Sequence, residues 1–259
     1  MSQYWSSTSL SDKSVIVTGA GRGIGRALAE SLAERGASVL AVDLDEASIT
    51  TAAEELTAKG YTVVGLAQDI TQPGAADTIV ARAVEAFGHL DALVNNAMAG
   101  HMPTPLQDLT EEQWNISYAT GPHATFELMK AAYPHLKASG SGSIVNFASG
   151  AGTMGLAGFT GYGSAKEAIR GLSKVAAKDW GPEGIRVNVV APAAFTEGMA
   201  QWKANAPEQF EASLQNIPLR RVGDPHDDIA PVVSFLVSDE SRYLTSQTIL
   251  VDGGTDGVR

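Results

Sequence analysis

Tyr162 and Lys166 stand four residues apart in Tyr162-Gly163-Ser164-Ala165-Lys166, and Ser149 lies thirteen residues before the tyrosine. On a helix this spacing places phenol and ammonium on one face. An unperturbed tyrosine ionises near pH ~10, too high for ready proton exchange at neutral pH. A nearby ammonium favours the phenolate and lowers that value. A hydroxyl at Ser149 suits hydrogen bonding to a substrate oxygen, which it polarises. The three side chains predict proton transfer at a carbon-bound oxygen. Tyr162 is then acid and base, Lys166 its electrostatic partner and Ser149 the polarising donor.

A second cluster lies near the N-terminus. Thr18-Gly19-Ala20-Gly21-Arg22-Gly23-Ile24-Gly25 follows an apolar, β-branched run and opens a stripe of Ile24, Leu28 and Leu32. A glycine-rich turn between strand and helix is the setting for dinucleotide binding. Gly19, Gly23 and Gly25 let backbone approach a pyrophosphate, and the helix start at Arg22 and Ile24 offers N–H donors and positive potential. Asp43 closes the next strand. A carboxylate there accepts hydrogen bonds from both adenosine ribose hydroxyls and repels a 2′-phosphate, which favours NAD over NADP. Arg22 points the other way, because a basic residue there can face a 2′-phosphate. Leu44 and Asp45 add no positive charge, so Asp43 weighs more.

The elements that must position these residues can be read from hydrophobic periodicity. Strands are expected at Ser14–Thr18, Ser38–Val42, Thr62–Leu66, Ala92–Asn95, Ser143–Phe147, Arg186–Ala191 and Thr248–Val251. Helices are expected at Ile24–Arg35, Glu46–Ala58, Ala75–Phe87, Glu111–Lys137, Tyr162–Trp180 and Asp227–Val237. Near-continuous apolar strands imply a sheet covered on both faces. The alternation predicts an α/β fold: a single doubly wound Rossmann-type domain over 1–259, with a parallel seven-stranded sheet and helices on both faces. Active sites of such sheets lie at the carboxyl ends of the strands. Asp224-Pro225 suits the opening of the last helix, with Asp as cap and Pro at the first helical position. Gly198–Pro218 breaks the alternation and suits one or two short helices.

Bulk properties narrow the partners. The 259 residues carry a net charge of −11, with 44% hydrophobic and 18% charged side chains. An acidic surface repels nucleic acid and acidic lipid. The absence of cysteine excludes a disulfide framework and a thiolate metal site, and no metal is expected. No apolar run reaches the ~18 residues a membrane span requires. The first ten residues lack the basic start and apolar core of a signal peptide, so a cytoplasmic location is expected. They read as an arm, on which Tyr4 and Trp5 are candidates for docking on a neighbouring subunit.

In order and spacing, Ser149, Tyr162-x-x-x-Lys166 and the turn Thr18–Gly25 resemble the short-chain dehydrogenase/reductase family, from about Leu10 to Gly254. The resemblance implies that Lys166 hydrogen-bonds the nicotinamide ribose, beside Tyr162. It implies that Asp69 and Ile70 contact the adenine edge, and that Asn95-Asn96-Ala97 is the motif at the end of the fourth strand. Pro192, Phe195 and Thr196 fall among its cofactor contacts, and a substrate lid falls near 195–218. It further implies hydride exchange between a substrate carbon and the nicotinamide, and a homotetramer, or alternatively a homodimer. The helix Tyr162–Trp180, the long helix before it and the segment Ile249–Gly254 resemble the family's contact surfaces; the tail Thr255–Arg259 falls beside the last of these.

The chain departs from the family pattern in four places. Gly121, followed by Pro122, stands where the family has a catalytic Asn whose main chain holds a water leading to the lysine. Met98, Ala193 and Ser246 each replace a usual Gly. Pro122 lacks an N–H and clashes inside a helix, so a kink is expected there that keeps a water-holding carbonyl. His123 is a second candidate relay group. The expected substrate wall comprises 150–159, Ala194, Phe195, Met199, Trp202 and Phe210, with Thr153 and Thr196 as polar contacts and His101 and Met102 at the entrance. No Arg or Lys cluster grips a phosphate or carboxylate there. The expected substrate is thus a hydrophobic secondary alcohol or its ketone. Two alternatives remain: a 3-oxoacyl-thioester reductase, and an NAD-binding sensor or scaffold weakened at Gly121. Enoyl reductases of this fold space Tyr and Lys seven apart, which disfavours that activity.

Overall fold

The computed structural model describes residues 9–257; Tyr4 and Trp5 lie outside them. Seven parallel strands form one sheet in the order β3-β2-β1-β4-β5-β6-β7. They are β1 (Ser14–Thr18), β2 (Ser38–Asp43), β3 (Val63–Ala67), β4 (Ala92–Asn95), β5 (Ser143–Phe147), β6 (Arg186–Pro192) and β7 (Thr248–Val251). Each β1, β4 and β5 residue is buried, as a sheet covered on both faces requires. One face packs on α1 (Gly23–Glu34), α2 (Glu46–Ala58) and α10 (Ala230–Val237); its core includes Val15, Val17, Leu28, Leu32, Ile49, Val233 and Leu236. The other packs on α3 (Ala75–Phe87), α5 (Ala124–Ser139) and α7 (Thr160–Trp180); its core includes Ile16, Leu40, Ile79, Leu93, Leu128, Ile144 and Ala176. The strand order reverses between β1 and β4, which opens a crevice at their carboxyl ends.

Two buried polar networks pin the elements that carry the chemistry. Asn95 Nδ2 donates to Asn146 Oδ1 (2.8 Å), Asn146 Nδ2 donates to Ser173 Oγ (2.8 Å), and Ser173 donates to the Ile169 carbonyl (2.7 Å). This chain ties β4 and β5 to α7. Buried Arg186 donates to the carbonyls of Leu236 and Ser238 and to Ser241, fixing β6 to the end of α10. Buried hydrogen bonds of this kind favour one arrangement, because breaking one leaves a desolvated polar group; Asn95 Oδ1 alone in these two networks is buried without a partner.

The expected single helix over 111–137 is two helices. Residues Glu111–Tyr118 form α4, capped by a reciprocal Thr110–Gln113 box, and a wide π-type turn over Ala119–His123 leads into α5. Gly121 takes φ −90°, ψ −107° inside that turn. Pro122 explains the break: it has no N–H for the helical ladder, and the residue before a proline is pushed out of the helical region. The last helix likewise begins with a π-type turn, Pro225–Ile229. The Asp224 carboxylate accepts there from His226 N and Asp227 N at 2.7 and 2.8 Å, as the sequence predicts. Glu197–Asn205 (α8) and Pro207–Leu214 (α9) fill the irregular stretch.

Ser246 adopts φ +64°, the left-handed conformation that favours glycine. Holding a side chain there costs roughly 1–2 kcal/mol. Glycine also loses more backbone freedom on folding, which offsets part of the gain. Ser246→Gly is therefore expected to raise the unfolding free energy by about 0.5–1 kcal/mol, read by urea denaturation; a loss of stability would contradict this strain.

Candidate active site

The glycine turn is locked by side chains from the end of β4. Asn96 Nδ2 donates to the Thr18 carbonyl (2.9 Å), and Thr18 Oγ1 accepts from Asn96 N and Ala97 N at 3.2 and 3.1 Å. Gly19 and Gly23 have φ of +68° and +55°, which glycine adopts without strain. A Cβ on Gly25 would fall 1.9 Å from the Gly19 carbonyl oxygen and 2.6 Å from Asn96 Nδ2, so only glycine lets α1 start this close to the turn. A Cβ on Gly23 would meet no protein atom within 4 Å. That backbone therefore faces open space, where a phosphate can approach.

Beside the turn lies a cleft of about 330 Å³ at the β1/β4 reversal. Of the sequence-predicted cofactor residues, Gly19, Arg22, Asp43, Asp69, Ile70, Asn96 and Ala97 line it. Gly23, Ile24 and Gly25 build the helix start behind it, while Pro192, Phe195 and Thr196 lie outside its lining, at the end of β6. The Asp43 carboxylate accepts from Gly21 N (2.9 Å) and Asp45 N (3.1 Å), which fixes it at the rim. Asp69 is held by its own loop: Gln72 Nε2, Thr71 Oγ1 and Thr71 N donate to it, and these bonds keep its carboxyl below the usual range. Gln68 and Thr120, which also line the cleft, escaped the sequence reading. Thr120 Oγ1 accepts from Ala99 N (3.0 Å) and so fastens the post-β4 loop to the kinked turn. Its position just ahead of Gly121-Pro122 was the available signal.

Ser149 and Tyr162 lie outside the lining of this cleft, after β5 and at the start of α7. Ser149 follows β5 in extended conformation and caps the single turn Gly150–Thr153 (α6), accepting from Ala151 N at 3.2 Å. Tyr162 is in the first turn of α7, and the Ser149 side chain acts on its phenol in the direction that favours the phenolate. The post-β4 loop packs on the tyrosine ring, since a Cβ on Gly100 would sit 3.2 Å from Tyr162 Cδ2. One helical turn on, Lys166 is buried; its Nζ donates to the Phe147 carbonyl (2.8 Å) and lies 5.5 Å from the centre of the Tyr162 ring.

The electrostatics of this triad correct one expectation. Burial dominates and pushes the Tyr162 phenol up, with the Ser149 hydrogen bond opposing it, so the value is raised rather than lowered. Burial likewise brings the Lys166 ammonium down from 10.5 to about 7. The ammonium spends its hydrogen bond on Phe147 and is itself desolvated, so it does not overcome the cost of burying a phenolate.

Two of the four departures from the family pattern touch. A Cβ on Gly121 would lie 3.0 Å from Met98 Cε and 3.1 Å from its Sδ. The Met98 thioether thus fills space that any side chain at 121 would need. The Gly121 carbonyl accepts from Ala124 N–H. His123 is exposed and faces a different cleft, against 70–77 and Glu127, away from Lys166. Gly121→Ala is expected to cost about 1–3 kcal/mol, from overpacking on Met98 and from its φ and ψ. Met98→Ala should recover part of that loss in the double variant. Strictly additive unfolding free energies would show that the two residues do not share this space.

The expected substrate wall is also partly corrected. Phe210 is buried in α9 with its ring centre 6.0 Å from Phe195 and 5.3 Å from Trp202, so it is the core of the α8–α9 excursion and not a wall. Thr153 is not a free polar contact: its hydroxyl donates to Asp256 of the C-terminal segment. Thr196 caps α8. His101 lies against Gly161 at the start of α7, its Nδ1 bonded to the Met102 carbonyl (2.8 Å). Met102 is exposed.

The crevice at the strand reversal lies beside the glycine turn, the place where open α/β sheets bind their ligands. The comparisons give the family. The family model described as "Enoyl-(Acyl carrier protein) reductase" matches residues 19–256. The chain is 39% identical over 249 residues to a 12alpha-hydroxysteroid dehydrogenase of a Clostridium species, covering 93% of this chain and 96% of that protein. It is 37% identical over 245 residues to the 3-oxoacyl-[acyl-carrier-protein] reductase FabG of Vibrio cholerae, covering 95% and 98%. A crystal structure assigned as a short-chain alcohol dehydrogenase from Sinorhizobium meliloti 1021 superposes with a TM-score of 0.89 at 33% identity, covering 96% of this chain and 98% of that one. The chain belongs to the short-chain dehydrogenase/reductase family, whose members are oxidoreductases using NAD(H) or NADP(H). Among the described residues no helix is long and apolar enough to cross a membrane.

Proposed function

We propose that the chain is an NAD-dependent oxidoreductase that interconverts a hydrophobic secondary alcohol and its ketone. The observation that carries this reading is Tyr162 with Ser149 acting on its phenol and buried Lys166 Nζ 5.5 Å from its ring centre. The chain fits a dinucleotide: Gly23 opens on free space, the cleft measures about 330 Å³, and the Asp43 carboxylate stands at its rim. Gly19, Arg22, Gly23, Ile24 and Gly25 would hold the pyrophosphate, and Asp43 the adenosine ribose. Asp69 and Ile70 would meet the adenine. Asn96, Ala97, Pro192, Phe195 and Thr196, with Tyr162 and Lys166, would hold the nicotinamide half. When bound, the nicotinamide accepts the hydride in oxidation and donates it in reduction.

The chain's own groups then handle the oxygen and its proton. Ser149 Oγ donates to the substrate oxygen. Tyr162 Oη takes the alcohol proton during oxidation and returns a proton to the oxygen during reduction. Lys166, when charged, stabilises the phenolate across the helix turn. Hydrophobic residues Phe195 and Trp202 near the lid suit an apolar substrate. The hydroxysteroid substrate in one relative's name is consistent with that class.

Asp43 supports NAD because a carboxylate fixed at the end of β2 can accept from the adenosine ribose hydroxyls and would repel a 2′-phosphate. Asp43→Ala is expected to lower kcat/KM with NAD by about 10–100-fold, the loss of hydrogen bonds to a charged group, and to narrow the gap to NADP. Equal use of both cofactors by the unaltered protein would refute the preference. A second reading, NADP-linked reduction of 3-oxoacyl thioesters, is favoured by Arg22 at the same cleft and by the likeness to FabG. Exposed Ile116, Phe126 and Val175 on α4, α5 and α7 support the proposed homotetramer or homodimer. Sedimentation velocity checks it, and a monomer at working concentration would contradict it.

A further inference from the structure

Arg22 carries the only positive charge among the residues lining the cofactor cleft. Its guanidinium is not aimed freely into that space. Nη1 lies 3.8 Å from Glu197 Oε2, with both side chains largely exposed. Glu197 is the first residue of α8, so this pair bridges the glycine turn to the α8–α9 excursion. The carboxylates near Arg22 are Asp43, which lines the same cleft, Asp45, which feels its charge, and Glu197, with which it pairs. The Arg22 charge also contributes to holding the Asp45 carboxyl below its usual range, after the dominant Ser48 hydrogen bond. Three acids therefore surround one base, and the base is drawn toward the most distant of them in sequence.

We propose that Glu197 is a positioning residue for cofactor selection: it holds Arg22 on the lid side of the cleft, where the guanidinium cannot meet a 2′-phosphate. This rests on the NAD reading above and deepens it. Asp43 would reject the extra phosphate directly, while Glu197 would withhold the one cation that could compensate. An exposed pair at this distance is weakly bound in water. Its effect should accordingly be a modest selectivity change that salt screens, not a change in folding.

Binding of adenosine 2′,5′-bisphosphate and of adenosine 5′-monophosphate, measured by titration calorimetry at low salt, separates the effects without turnover. In Glu197→Gln the affinity ratio of bisphosphate to monophosphate should rise about 2–5-fold over the unaltered protein. The rise should shrink at high salt and vanish in the Arg22→Ala, Glu197→Gln double variant. An unchanged ratio would overturn the proposal. So would equal tightening of both ligands, which would mark Glu197 as a general charge on the cleft. If the unaltered protein itself prefers the bisphosphate, the NAD preference fails; the Glu197→Gln ratio still decides the role of Glu197 independently.

Discussion

Tyr162→Phe is expected to lower turnover by ~10²–10⁴-fold in both directions while cofactor Kd stays within a few fold. That range is what a positioned general acid and base contributes. The phenylalanine keeps the ring that packs on Gly100 and faces Phe159 edge-on at 6.4 Å, so the fold and the site's shape persist. Only the phenolic hydroxyl is lost. Because burial raises the phenol, the unaltered enzyme should gain oxidative kcat/KM as pH rises from neutral into the alkaline range, and Tyr162→Phe should lose that rise. Residual activity with an unchanged pH profile would show that another group moves the proton. Stopped-flow hydride transfer and fluorescence titration of the reduced cofactor give the two readouts.

Lys166→Met should move activity and stability in opposite directions. Turnover is expected to fall at least ~10²-fold, because the phenolate loses its cation. Stability should rise at neutral pH. The folded chain holds this ammonium at about 7 instead of 10.5 through burial. At ~1.4 kcal/mol per tenfold change, the buried charge costs roughly 4–5 kcal/mol below that pH. Losing the bond to the Phe147 carbonyl returns about 1–3 kcal/mol of that. The sign with pH follows from proton binding. Between about 7 and 10.5 the unfolded chain keeps the proton and the folded chain does not. Stability of the unaltered protein therefore climbs with pH across that window. The K166M protein lacks this climb, so its advantage is largest below pH 7 and fades toward pH 10. Denaturant midpoints measured at both ends test this; a K166M protein less stable at pH 6 would show that the buried ammonium is compensated.

Most of the fold was legible because apolar periodicity and glycine punctuation act locally. β1, β4, β5 and β7 begin and end where hydrophobicity predicts, and the Gly25 backbone contact explains the turn in steric terms. The Asp224 cap was readable for the same reason. Helix 111–137 was not read correctly because its stripe continues through a break set by one dipeptide. Gly121-Pro122 signalled a kink, but the π-type turn is also contacted by Met98 and Ala99 from another loop. Such contacts carry no periodic mark.

The site divides along the same line. The residue types at Ser149, Tyr162 and Lys166 could be named from spacing, and the structure brings them together. The balance of their charges could not, since the fall in the lysine and the rise in the tyrosine follow from burial by distant segments. Phe210 and Thr153 were misplaced for a related reason. An aromatic residue in an irregular stretch reads alike as wall or core, and the Asp256 partner of Thr153 comes from the far end of the chain. The Arg22–Glu197 pair likewise joins two segments distant in sequence.

The most direct test of the account is nicotinamide absorbance recorded with purified protein, with NAD and NADP in parallel, over a panel of hydrophobic secondary alcohols and their ketones. The account predicts NAD-linked turnover on members of that panel, lowered ~10²–10⁴-fold by Tyr162→Phe. Tight NAD binding without hydride transfer on any of them, or turnover unchanged in Tyr162→Phe, would contradict it.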